Sequence, residues 1–344
     1  MADVARVAGV SASTASRVIY NSGYVSEENR RRVEHAVAKV GYRPNMQARG
    51  LRNQRSYTLG LVTDSATNNA HFAHIAQAVR IEAAAAGYSL LTVDHEYDPT
   101  IERQGLTHLL EHNVEAIAVC HPFAIENYDM VKEANIPLIQ IERRNLGDVH
   151  RVDIDPIPGF QEAVRHLVEL GHRSIGYISG DSIGKAAPQS QMSVEFQRVK
   201  AFQSVVAEHG LQIEECPIKH VPYDLQGLDE DLHGYIFGKE LLQAPSRPTA
   251  LIVGADVLAA GILQAASDLG IAIPAAVSLV GFDDSIAKFL TPPLATIAQP
   301  HRQIAREALL IAARLSSEDA TAPIRAVVAT QFQPRRSTTA PFRS

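Results

Sequence analysis

The side chains with the most chemistry to offer sit near the start of the chain. In VAGVSASTASRVIY (7–20), Ser11, Ser13, Thr14 and Ser16 stand within six residues, with Ala12 between them and Arg17 directly after. An arginine can make a bidentate contact to a guanine edge, while hydroxyls suit phosphate oxygens or adaptable base contacts. Both fit a helix presented to a major groove. Two other motifs invite a catalytic reading. GDSIG (180–184) matches G-x-S-x-G and follows an apolar run, yet a nucleophile elbow must enter a helix at once, and KAAPQSQ follows instead. HLLEH (108–112), with His71 and His74 in HFAH, matches a zinc pattern. Its Leu109 and Leu110 face a sheet in a helical reading, which turns His108, Glu111 and His112 to solvent, and zinc chemistry needs a third ligand and an open position. No catalytic residue, metal or cofactor is expected.

Charge separates this segment from the rest. Residues 1–56 hold ten arginines and lysines against four acids, a net +6, so the other 288 residues carry −12 of the overall −6. A basic head on an acidic body points to a polyanionic partner for the head alone. The chain is 46% apolar over 344 residues, which excludes a disordered polymer and suits two or three domains. No apolar run reaches the roughly 20 residues a membrane span needs. With two cysteines, Cys120 and Cys216, and no signal-peptide pattern, a reduced cytoplasm is the expected compartment.

These side chains need elements to hold them. Gly9 suits the left-handed turn after a first short helix, Ser11 can cap a second through Ile19, and Ser26 a third that stops at Gly41. Ala5 and Gly9 supply the small residue and the turn glycine of a helix–turn–helix, with Val4, Val10, Ala15 and Val18 facing inward. Val33, Ala36, Val37 and Val40 form the third helix's apolar stripe. From Tyr57 the texture changes to continuous apolar runs of strand length (YTLGLVTD, YSLLTVDH, VEAIAVC, IPLIQIE, SIGYISG, TALIVGAD, VSLVGFDD). Helical segments near 72–86, 101–112, 160–170, 194–209 and 257–269 separate most of them. This alternation predicts parallel sheets covered on both faces, too many strands for one sheet, with an extended crossing at Val152–Pro158. In such folds ligands sit beyond the carboxyl ends of the strands, here Asp64, Asp94, His95, Glu142, Arg143, Asp256, Asp283 and Asp284.

The whole chain resembles the LacI/GalR family of bacterial transcriptional regulators. The matching features are D-V-A-x-x-A-G-V-S, T-x-S-R-V, V-S-E-x-x-R-x-x-V and G-Y-x-P-N with A-R-x-L, then GLVTD, GYSLL, IPLIQIER, AVRHLVELGHRSIGYI, RPTALIVGAD, VSLVGFDDS, TPPLATIAQP and RRST in order. The resemblance implies an all-α helix–turn–helix head (1–43) and a hinge helix with linker (44–56). It also implies an α/β body (57–344) of two doubly wound parallel-sheet lobes like periplasmic binding proteins. The N-lobe is expected at about 57–156 and 300–325, the C-lobe at about 157–299 and 326–344. It implies a homodimer on double-stranded operator DNA, a repressor released by a small polar effector such as a sugar or sugar derivative. A stand-alone small-molecule binding protein, or a co-repressor-type regulator of a nucleoside or purine pathway, uses the same parts.

Site roles follow residue by residue. Ser11, Ala12, Ser13, Thr14, Ser16 and Arg17 would face DNA, and Ser26 would touch phosphate. Asn45, Ala48 and Leu51 would lie in the hinge helix, with Leu51 wedged into the minor groove. Arg198, three residues before Ala201-Phe202 where the family has G-F, and Asp283 of GFDD match effector-binding positions. Asn69 and Phe72 would close the other wall, with Asp94, Arg143, Asp155 and Asp256 as further candidates. The chain departs from the pattern in places. Met1 and Ala2 alone precede Asp3, so either the start is shortened or the first helix frays; Tyr20 replaces an asparagine; Gly50 falls in the hinge helix; and A-N-D becomes Gly254-Ala255-Asp256. The Arg30–Arg32 cluster is expected to give general phosphate attraction. Arg17→Ala should relax base preference, whereas Arg55→Ala should weaken binding to all sequences alike, as measured by gel shift on matched and scrambled sites.

Overall fold

The computed structural model describes residues 1–20, 22–42, 55–64, 70–143, 145–181, 193–222, 233–315 and 322–342. It divides into two compact units, 1–57 and 58–344. The first holds α1 (Ala2–Ala8), α2 (Ala12–Ile19) and α3 (Glu27–Val40). Helix ends form where the sequence signals them. Gly9 and Gly41 close α1 and α3 at φ 64° and 63°, a region open to glycine. The Ser11 hydroxyl accepts from Thr14 N at 3.1 Å and that of Ser26 from Asn29 N at 3.5 Å. Met1 caps α1 without a side-chain bond, and the helix nonetheless starts at Ala2. Val4, Ala5, Ala8, Ala15, Val18, Val33 and Ala36 form the core, with Val10 and Val37 packed at its edge. Val40 differs from the expected stripe: at the last turn it is 40% exposed.

The second unit contains two six-stranded sheets. In the first, β1 (Thr58–Thr63), β2 (Ser89–Asp94), β3 (Ile117–Val119), β4 (Leu138–Ile141), β5 (His150–Asp155) and β11 (Arg325–Ala329) run parallel in the order β11-β5-β4-β3-β1-β2. Helices α4 (Ala70–Ala85), α5 (Pro99–Glu111), α6 (Asp129–Glu133) and α11 (His301–Leu315) cover it. Leu59 and Leu61 join α4 and α11 in one core while Val62 joins Leu106 and Leu109 of α5 in another, the alternation a two-sided strand requires.

The second sheet is β12-β10-β9-β8-β6-β7, built from β6 (Ile175–Asp181), β7 (Ile218–Pro222), β8 (Ala250–Val253), β9 (Ser278–Asp283), β10 (Ala295–Ala298) and β12 (Gln331–Gln333). Only the β10–β12 pair is antiparallel among these. Helices α7 (Ile157–Glu169), α8 (Val194–Glu208), α9 (His233–Gln243) and α10 (Asp256–Asp268) complete this lobe.

The chain passes between lobes three times: at Pro156 from β5 to α7, at Gln299-Pro300 from β10 to α11, and at Thr330 from β11 to β12. The expected crossing at Val152–Pro158 is shorter, because Val152–Asp155 pairs with β4 and β11 as an edge-adjacent strand. The return at about 326 falls instead at Thr330, since Arg325–Ala329 extends the first sheet. Thr330 staples two crossings. Its hydroxyl donates to Asp155 O at 3.0 Å and accepts from Gly159 N at 3.1 Å. A Cβ on Gly159 would collide with Thr330 and Ile297, so only glycine lets the crossings close up.

Glu102 of α5 is fully buried and organises the loop after β3. It accepts from Phe123 N, Ala124 N and the Tyr128 hydroxyl, each at 2.8 Å, and from Asn127 Nδ2 at 3.1 Å. Glu102→Ala would strand Phe123 N, Ala124 N and the Tyr128 hydroxyl, while Asn127 Nδ2 keeps Pro99 O, and should cost about 3 kcal/mol or more in urea unfolding because each buried orphan carries its desolvation cost.

Candidate nucleic-acid interface and effector cleft

In the head, α2 turns Ala15 and Val18 inward, which leaves Ser11, Ala12, Ser13 and Arg17 exposed and Thr14 and Ser16 half-buried. Ser11, Ala12, Ser13 and Arg17 are therefore the residues of this stretch that solvent reaches most freely. Ser11 Oγ lies 2.8 Å from both Ser13 Oγ and Thr14 Oγ1, a chain of rotatable hydroxyls that can donate or accept. Ser26 is exposed at the start of α3. The Arg30–Arg32 cluster divides its labour: Arg31 pairs with Glu27 at 3.3 Å, while Arg32 donates to Gly9 O at 3.2 Å and fixes the turn. Arg32's role had no signal in the sequence, because a contact 23 residues away leaves no local spacing. Tyr20 shares a side-chain hydrogen bond with Tyr42; burial and this neighbour push the Tyr42 hydroxyl up. Asn45, Ala48, Gly50 and Leu51 lie outside the described residues.

Between the lobes of the body, Arg198 of α8 reaches across to the first lobe. Its guanidinium meets Glu142 Oε1 at 2.5 Å, donates to Gly254 O at 3.1 Å and lies 4.0 Å over the Phe282 ring. Glu142 follows β4 directly at φ 67°, and its other partners are His71 Nε2 at 3.2 Å and Gln299 Nε2 at 3.3 Å. His71 Nδ1 in turn lies 3.0 Å from His301 Nε2. Burial works to raise the Glu142 carboxyl, but Arg198, His71 and Arg143 outweigh it and hold the group far below the usual range. Burial, then His71 and His74, pushes His301 down to about 3.

A second cluster forms the rest of the first-lobe wall. Asp64 Oδ2 accepts from the Tyr97 hydroxyl at 3.0 Å and pairs with His121 Nδ1 at 3.1 Å. Phe72 stacks on His121 with centroids 5.9 Å apart. Burial, then Arg143, pushes His121 down. Asp94 is half-buried, raised by burial, and accepts from Glu96 N. Arg143 is half-buried beside His121 and Glu142. Asp64 Oδ1 and Gln299 Oε1 are buried acceptors that have no hydrogen-bond partner among the described residues. Asp155 accepts from Ile157 N at 3.0 Å just before α7, and Asn69 is outside the described residues.

Asp256 and Asp283 are closer to each other than to open solvent. Asp256 is fully buried and commits its oxygens to Thr296 Oγ1, Ala287 N and Ile286 N, so it braces the wall rather than presenting a free carboxylate. Asp283, at φ 97°, accepts from Ser285 N at 2.7 Å. Burial and then Asp256 push it well above the usual carboxylate range, and the pair shares a hydrogen bond. Asp284, next along, accepts with both oxygens from one nitrogen of Arg335, at 2.7 and 2.9 Å.

The zinc-like motif leads elsewhere. His108 and His112 face each other at 4.1 Å on α5, and among the described residues no group of three or more His, Cys, Asp or Glu could hold a metal. Residues 182–184 of the G-x-S-x-G match lie outside the described residues. Among the described residues no helix is long and apolar enough to cross a membrane.

Sequence reading singles out Arg198 as an effector-site match, Glu142 only as one of several strand-end residues and His71 only in a zinc-like pattern, and it gives no sign of Gln299 or His301. Glu142, His71 and the Gln299–His301 crossing are three separate segments, and the fold alone brings them together around Arg198. A carboxyl with a raised folded pKa contributes stability that is complete below its unfolded value, here 3.8, and is lost as pH rises through the folded value. Wild type should thus lose stability relative to Asp283→Asn as pH is raised above 3.8, read as urea midpoints over a pH series. A difference constant with pH would contradict the shared proton.

Comparison with known proteins agrees with this two-part architecture. The profile of bacterial regulatory proteins of the lacI family matches residues 1–45, and that of the periplasmic binding protein-like domain matches 164–338. The HTH-type transcriptional regulator DegA of Bacillus subtilis is 31% identical over 98% of this chain and 97% of its own. The HTH-type transcriptional repressor PurR of Haemophilus influenzae is 29% identical over 92% and 91%. The lac repressor dimer bound to operator and an anti-inducer superposes with a TM-score of 0.71 at 25% identity, covering 98% of both chains. A basic helix–turn–helix head and a two-lobed body are thus found together in relatives along almost the full length, and the chain belongs to the LacI family of bacterial transcriptional regulators.

Proposed function

We propose that this chain is a cytoplasmic, homodimeric repressor without catalytic activity, released from operator DNA by a small polyhydroxy effector such as a sugar or sugar derivative. The observation that carries the reading is Arg198, which spans the cleft to Glu142 in a chain that also bears an exposed hydroxyl-and-arginine helix face. Two buried acceptors in the cleft, Asp64 Oδ1 and Gln299 Oε1, favour a ligand rich in hydroxyl donors, since each would gain the hydrogen bond it lacks. In the dimer, paired α2 helices would enter successive major grooves, with the 44–56 segments between them in the minor groove. Effector and operator binding are coupled, so operator DNA must weaken effector binding by the same factor that effector weakens operator binding.

A thermal-shift screen of sugars and nucleosides finds the effector, and gel shift against the DNA upstream of the chain's own coding sequence tests the regulator. A shift that the effector removes supports the reading, and absence of a shift in every ligand state overturns it. Arg198→Ala should abolish the effector response and leave operator binding within about twofold of wild type, well under the 1.4 kcal/mol that a tenfold change represents. A normal response in that variant would place the effector elsewhere.

A further inference from the structure

The Glu142–Arg198 contact has support behind it that effector binding does not require. Glu142 belongs to the first lobe and Arg198 to the second. Two of the remaining Glu142 contacts lead to a single crossing segment: Gln299 donates to Oε1 directly, and His301, two residues on, reaches Oε2 through His71. His71 is buried on α4, and His301 opens α11 immediately after Pro300.

The atoms dictate the direction of this relay. A carboxylate only accepts, so the proton between His71 and Glu142 lies on His71 Nε2. One further proton must lie between His71 Nδ1 and His301 Nε2, whichever ring carries it. Either way that hydrogen bond fixes the His71 ring, which could otherwise turn Nε2 away from Glu142. This is the arrangement by which an outer partner orients a histidine at many sites, here with a carboxylate where a metal would be.

We propose that His301 is a positioning residue: through His71 it holds Glu142 against Arg198, so the cleft is latched from the crossing segment itself. The proposal rests on reading the cleft as the effector site. The latch ties the geometry of one crossing to the only guanidinium shown bridging the lobes among the described residues. Movement at Gln299-Pro300 acts on Glu142 directly through Gln299 and, by pulling on the first turn of α11, through the His71–His301 hydrogen bond; it loosens Glu142 and frees Arg198. An effector that engages Arg198 does the converse: it releases Glu142 and, through His71, unloads the crossing. Hydrogen bonding at His301 matters more than its bulk, and glutamine, which can donate or accept at a similar reach, should serve in its place.

Hydrogen–deuterium exchange on the full-length protein, free of DNA and effector, tests this. The peptides that matter span 141–143 and 298–302. His301→Phe and Glu142→Gln should each speed exchange there by about fivefold or more, and the double variant should be no faster than either, because both break one linkage. His301→Gln should stay within about twofold of wild type. Three results would overturn the proposal: His301→Gln as fast as His301→Phe, additive effects in the double variant, or unchanged exchange in Glu142→Gln. Neither operator binding nor effector response is read, so failure here is separable from failure of the repressor reading.

Discussion

A guanidinium and a carboxylate buried between two lobes must satisfy each other, and much of the body is arranged around that requirement. Arg198 and Glu142 have side chains only 14% and 8% exposed. Ions removed from water at such sites lose several kcal/mol each unless paired and fully hydrogen-bonded. The surroundings supply what is needed: Gly254 O and the Phe282 ring for the arginine, His71 and Gln299 for the carboxylate. Because the partners come from both lobes and a crossing, separating the lobes would expose the ions to a poorer set of contacts. A ligand competes with these contacts, and its affinity is the difference between what it offers and what it displaces.

The head depends on a simpler constraint. Three short helices bury few side chains, so small residues at the crossings, Ala5, Ala8, Ala15 and Ala36, let them approach closely. The outer face of α2 is left with short side chains and a single long one, Arg17. A face of that kind brings backbone near a partner's surface, and Arg32 keeps the turn rigid from behind by holding Gly9 O.

The head was legible almost residue by residue, because caps, turn glycines and inward positions are local signals. Gly9, Ser11, Ser26 and Gly41 end and begin helices where spacing placed them. Most interior strands were legible too, as apolar runs covered on both faces, although β5 read as a crossing and β10, only four residues long, went unread. The sequence was silent where burial is partial: β7, β11 and β12 lie at sheet edges and mix polar with apolar residues, as in IKHVP and QFQ. The site was half legible. Arg198 meets Glu142 between the lobes, whereas Asp256 reads as a strand-end acid but spends both oxygens on the wall. Glu142, His71, Gln299 and His301 lie up to 230 positions apart and become neighbours only through the fold.

Thr330 has a consequence for what the body can communicate. Its one hydroxyl binds the carbonyl of Asp155 and the amide of Gly159, so two of the three connections between lobes move as a single knot. A knot of that kind opposes sliding of one lobe past the other and favours rotation about Thr330. The third connection, at Gln299-Pro300, lies outside it, so the body is tied at one point and jointed at another.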